Sequence, residues 1–217
     1  MNTKTLKTKW FYIRIMMYIL GMFLAGGGVN LILRSSIGAG SWDAVNDHSR
    51  LLFNITLGTA SLITNFTILA FIIFYRKKLK YLIVVIPIFG IASMMDLWDI
   101  IILSNMNPIG LLNQIIWFMF GATLLPFGLS LMITTNFPSM VYDEMTFAFM
   151  EIFKVNNFLK VRVGVEILAV LIAILQGVII GIGFGSVSIG TIVLAITIGP
   201  MIDFFIKQIN KIKKEAY

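Results

Sequence analysis

Ten carboxylates serve the whole chain, and where they fall limits its chemistry. Asp43 and Asp143 stand 100 residues apart, each in a connection between apolar stretches. Glu166 follows Arg162 by four residues, a spacing that puts both on one helix face and makes an ion pair available. Asp96 and Asp203 each close an apolar stretch, and Asn65 is an isolated amide inside another. In apolar surroundings a carboxylate binds a proton or a cation, or is neutralised by an arginine, because charge at mid-bilayer costs roughly 2.5–3.5 kcal/mol on insertion scales. Asp43, Asp143, Glu166, Arg162, Asn65, Asp96 and Asp203 are therefore the candidates for a substrate or ion pathway. Each also has a structural alternative. Asp43 and Asp143 can start water-facing helices, where a carboxylate suits the positive helix end. Glu166 can be neutralised by an Arg162 that snorkels outward. Asn65 can bond a neighbouring helix, and Asp96 and Asp203 can anchor at the interfaces.

Other chemistries are missing. There is no cysteine and one histidine, so no transition-metal site is expected. The chain has no Walker motif, no HExxH and no GxSxG, and nothing argues for an enzyme or a cofactor. His48, in SWDAVNDHSR, reads as a solvent-exposed loop residue, and the 13 methionines are scattered as core filler usually is.

The elements that must hold these residues follow from composition. Of 217 residues, 59% are hydrophobic and 12% charged, and the mean hydropathy is +0.94. A soluble domain carries about 25% charged residues, so a soluble globule, a disordered chain and a disulfide scaffold are all excluded. The net charge of +7 then reads as topology, not nucleic-acid binding. Six stretches reach the length of about 20 apolar residues that a bilayer-crossing helix needs: roughly 11–33, 57–75, 81–103, 114–134, 162–180 and 187–206. Of 17 basic residues, all but Arg34 and Arg50 fall on one side of this layout, in the N-terminus, the 2–3 and 4–5 connections and the C-terminal tail. The positive-inside rule makes both termini cytoplasmic in a multi-pass cell-membrane protein. Trp10, Trp98 and Trp117 read as interfacial anchors.

Two connections, 34–56 and 135–161, have helical apolar spacing. Trp42, Val45, Ser49, Leu52 and Phe53 mark the first, with Ser41 as expected N-cap; Tyr142, Met145, Phe149, Ile152 and Phe153 mark the second. Each predicts a short amphipathic or re-entrant helix. Gly21, Ala25 and Gly28 in span one and Gly121 and Gly128 in span four allow close helix approach, with Pro126 placed to bend span four.

The chain also repeats itself. GMFLAGGGVNLILRSSIGAGSWDAV lies over GATLLPFGLSLMITTNFPSMVYDEM, and SMMDLWDI over GPMIDFFI. Residues 12–103 and 114–206 thus read as two repeats of three spans within one membrane domain, 1–217, ending in a basic cytoplasmic tail, 207–217. An odd number of spans per repeat inserts the second upside down, giving an all-α 3+3 inverted repeat of the kind common in transporters.

These segments, above all IGAGSWDA and the SMMDLWDI helix end, resemble the bacterial YczE/YyaS/YitT-type integral membrane proteins, from about Tyr12 to Ile206. The second repeat departs from the glycine-rich form at SMVYDEM. The resemblance implies a polytopic plasma-membrane protein and names no substrate. From the repeat, the expected function is transport of a small solute or ion, with a path between spans one and four and the acidic connections at its two mouths. A substrate-binding subunit of an energy-coupling-factor importer and a non-transporting membrane accessory fit the same features. The expected partners are lipid and an unknown solute, and a homodimer would shield polar helix faces.

Overall fold

The chain is all-helical among its described residues in the computed structural model, which describes 3–138 and 140–215, with side chains for 10–138 and 140–212. The side chains of Lys4, Lys7, Lys9, Lys213 and Lys214, and Ser139 of SMVYDEM, lie outside that set, as do the last two residues of the tail. Eight α-helices run in order: α1 (Thr3–Ser35), α2 (Ser41–Phe53), α3 (Leu57–Arg76), α4 (Val85–Asp96), α5 (Leu111–Thr134), α6 (Val141–Phe153), α7 (Phe158–Ile180) and α8 (Ile189–Glu215). Among the described residues six segments are long and apolar enough to cross a membrane: Trp10–Ser35, Leu57–Arg76, Leu79–Ile102, Leu111–Thr134, Phe158–Ile180 and Ile189–Ile212. They coincide with the six stretches read from sequence. The third is composite, with a 3₁₀ turn (Leu79–Val84) before α4 and a π-helical turn (Leu97–Ile102) after it. Pro87 lacks the N–H that would bond Ile83, so the regular helix begins only at its own first turn.

α1 and α5 form the spine of the bundle and meet at backbone contact. A Cβ added at Gly28 would lie 2.5 Å from the Leu125 nitrogen, and one at Gly128 would lie 2.6 Å from the Ala25 nitrogen. Gly21 and Gly121 are equally tight against the Gly128 and Gly28 carbonyls. No path therefore runs between spans one and four; the small residues there close the seam. α4 packs beside α1 and α8 beside α5, while α3 rests on α4. α7 and α8 scarcely touch.

Both short helices pack into the bundle, α2 along most of its length and α6 by one face. α2 packs on α7 and α3, with Ser41 to Ser49 almost wholly buried, and α6 packs on α3 and α7. The linker into α2 is tied to the start of α8: the Gly190 N–H donates to the Ile37 carbonyl at 3.0 Å, and a Cβ at Gly38 would meet the Thr191 nitrogen at 2.6 Å. Gly40, not Ser41, occupies the N-cap position of α2.

Enclosure of α2 also overturns the expectation for His48, which is completely buried. The Ser186 N–H donates to its Nε2 at 3.0 Å, so Nδ1 carries the proton and donates to the Ala173 carbonyl at 2.6 Å. His48 ties α2 to α7 and to the 181–188 loop. Trp98 likewise does more than anchor an interface: its Nε1–H donates to the Phe23 carbonyl at 2.9 Å and its ring fills the space above Gly27.

Candidate functional site

A cavity of about 940 Å³ lies beside the α1–α5 spine, where α2 and α6 begin. The linkers at Gly40 and Met140 lead both helices away from it, so each first turn opens on the cavity, and neither helix has a side-chain cap. Trp42 of α2 and Tyr142 of α6 stack there, with ring centroids 5.0 Å apart and planes inclined by 21°. Around this stack stand Asp43 and Asn46 of α2, Ser61 and Asn65 of α3, Asp143 of α6, and Arg162 and Glu166 of α7. The opposite wall is apolar, built from α1, α4, α5 and α8 with Val29, Ile91, Leu125 and Leu194.

Five of the seven acidic and polar candidates thus share one cavity. Arg162 bridges two of them, donating to Asp143 at 2.9 Å and pairing with Glu166 at 3.0 Å across one helical turn. Asp43 and Asp143 converge on this single site instead of guarding two separate mouths. Asn65 Nδ2 donates to the Ser61 carbonyl at 2.7 Å and to the Ser61 hydroxyl, both on α3, and its amide also bonds the Tyr142 hydroxyl of α6.

Asp96 and Asp203 lie outside the cavity and do not share a role. Asp96 accepts from the Gly58 N–H at 2.6 Å and from the Thr56 hydroxyl at 2.7 Å, closing the start of α3. Asp203 is exposed on α8.

Asp43 differs from its neighbours in having no basic partner and no hydrogen-bond donor among the described residues. Burial pushes its carboxyl up to about 7, helped by the like charges of Glu166 and Asp47. Burial, with the charges of Asp43 and Glu166, also raises the Tyr142 hydroxyl, against the Asn65 and Asn46 amides, which favour its ionised form. Two further polar atoms on the cavity wall, Trp42 Nε1 and Asn46 Oδ1, are buried without a partner. Asn46 was not evident as a site residue from sequence, although it stands three residues after Asp43 and so shares its helix face.

The cavity opens between α7 and α8. Leu159, Val163, Ile167 and Leu171 of α7 and Ile192 and Ile196 of α8 line it and are exposed at the same time, giving an apolar mouth.

The family model described as "Family of unknown function (DUF6198)" matches residues 12–207. The chain is similar to the uncharacterized protein YyaS of Bacillus subtilis (strain 168), at 23% identity over 198 residues, covering 91% of this chain and 94% of that one. No solved structure matches it.

Proposed function

The chain belongs to the DUF6198 family, and on that premise we propose that it is a multi-pass cell-membrane carrier that binds a small solute where α2 and α6 begin. One observation carries this reading: a cavity of about 940 Å³, open between α7 and α8, with a polar end and an apolar wall. Small-molecule sites commonly occupy about 300–1,000 Å³ and place a few polar groups in a mostly apolar lining. The lysine-rich ends put both termini in the cytoplasm.

Helix pairing supports two oppositely inserted halves, α1–α4 and α5–α8. α1 on α4 corresponds to α5 on α8, α2 on α7 corresponds to α6 on α3, and α1 and α5 pair with each other at the axis. The halves differ at one seam. α3 rests on α4, but α7 and α8 stand apart, and there the cavity opens. Alternating access needs such a difference between halves, because inverted repeats exchange conformations as one rocks against the other.

The test is thermal unfolding of purified protein against a panel of amino acids, amines, carboxylates, sugars and nucleosides. A ligand of the folded state raises apparent stability by RT ln(1 + [L]/Kd). At least one class should raise Tm, and Ala195→Trp, which places a large ring at the exposed cavity mouth, should remove the effect. A panel without any shift, or a shift indifferent to Ala195→Trp, would overturn the carrier reading.

A further inference from the structure

We infer that the cavity takes an amphipathic organic ammonium compound, whose charged head sits on Asp43 and Asn46 beside the Trp42–Tyr142 stack and whose apolar body enters between α7 and α8. The inference rests on the solute-cavity reading above and adds the chemical class and the route.

The head-group assignment comes from which groups are already satisfied. Arg162 is committed to Asp143 and Glu166, so the one basic side chain that lines the cavity among the described residues is not free to capture an anion. Asp43 has no cation or donor of its own among the described residues, while like charges surround it. Asp47 lies one turn on along α2, and α7 brings Glu166. The other ionisable groups around it are Tyr142 and Asp143 of α6 and Arg162 of α7; α3 contributes only the neutral Ser61 and Asn65. Asn46 Oδ1 is a buried acceptor without a donor. An ammonium supplies both the positive charge and the N–H groups that Asp43 and Asn46 Oδ1 lack. Aromatic faces add to this, because cations are attracted to the ring quadrupole. Trp42 Nε1, an unused donor, leaves room for an acceptor such as a hydroxyl on the same ligand.

The body assignment comes from the opening. Its exposed rim is apolar on both helices, with Leu159, Val163 and Ile167 facing Ile192 and Ile196. α7 and α8 are the least buried of the six candidate spans, at 22% and 17% of their apolar windows. A mouth of this composition between spans faces acyl chains, so the compounds that reach it are those that partition into the bilayer.

The measurement is binding to purified full-length protein in nanodiscs of zwitterionic lipid, with n-octylamine and 2-phenylethylamine as probes. Octanol and 2-phenylethanol serve as neutral counterparts, and octanoate and 3-phenylpropionate as anionic ones. At least one amine should bind tenfold or more tightly than its counterparts, and Asp43→Asn should weaken it at least tenfold while Asp203→Asn leaves it unchanged. Because alkylammonium groups stay charged below about pH 9, affinity should rise by about tenfold from pH 6 to pH 8 as Asp43 ionises and then level off. Equal or tighter binding of the alcohol or the carboxylate, or an Asp43→Asn variant with wild-type affinity, would overturn the ammonium assignment. If those rivals bind and Ala195→Trp abolishes their binding, the cavity reading stands without it. If no probe binds, the ammonium assignment falls and the solute panel alone decides the cavity reading.

Discussion

A carboxyl moved from water into an apolar cavity keeps its proton to higher pH, and like charges nearby strengthen the effect. Asp43 meets both conditions, which carry its titration from the ordinary carboxylate range up to about 7. Across the window between these values, the folded protein binds more protons than the unfolded chain. Its stability therefore falls as pH rises, with Asp43's contribution fully present below the unfolded value and lost above about pH 7. Asp43→Asn removes this dependence. In detergent the variant should melt close to wild type at pH 4 and at a progressively higher temperature towards pH 8; parallel melting curves from pH 5 to pH 8 would show that Asp43 ionises freely. Asp143 and Glu166, by contrast, each have a basic partner in Arg162, at 2.9 and 3.0 Å.

At the scale of elements, the α1–α5 seam and the surface of α7 give opposite demands on glycine. Adding one methyl at Gly28 drives a Cβ into the backbone of Leu125, which a rigid helix cannot yield. Overfilling of this kind costs typically 1–3 kcal/mol, about which Gly28→Ala should lower unfolding free energy. Gly164, on the exposed face of α7, has nothing within 4 Å of such a methyl. Gly164→Ala should be neutral or stabilise by up to about 1 kcal/mol through helix propensity alone. Reversible unfolding in mixed micelles measures both, and similar losses at the two positions would refute the idea that α1 and α5 are held at backbone contact. The same scale explains Asp96, whose carboxylate acts on α3 by taking the Gly58 N–H that the helix itself leaves unpaired.

For the whole molecule, the charge distribution predicts which way the bundle sits. Lys78 and Asn105 are both exposed, at opposite ends of the third apolar segment. Since the chain has no cysteine, single thiols report topology without background. In intact cells Asn105→Cys should react with an impermeant maleimide and Lys78→Cys should react only after lysis. Labelling of Lys78→Cys in intact cells would invert or abolish the proposed orientation.

Span number and position were legible in the sequence because each span answers to a local requirement, about 20 apolar residues regardless of neighbours. The lysine asymmetry was equally local, as were the Arg162–Glu166 pair at helical spacing and the glycines of spans one and four. The destination of the two short helices was not legible. An amphipathic segment buries its apolar face equally well on a lipid surface or inside a bundle, and only the clamp of the 36–40 linker on α8, with α3 and α7 on either side, draws α2 inward. That enclosure buries His48, brings Asp43 and Asp143 together from positions 100 residues apart, and strands Asn46 Oδ1 on a cavity wall. It also makes the glycine seam a closed spine while the opening appears between α7 and α8, whose sequences carry no mark of it. Local pattern sets which segments enter the membrane; which faces then meet depends on the competition among all helices at once, and that was settled only in the tertiary structure.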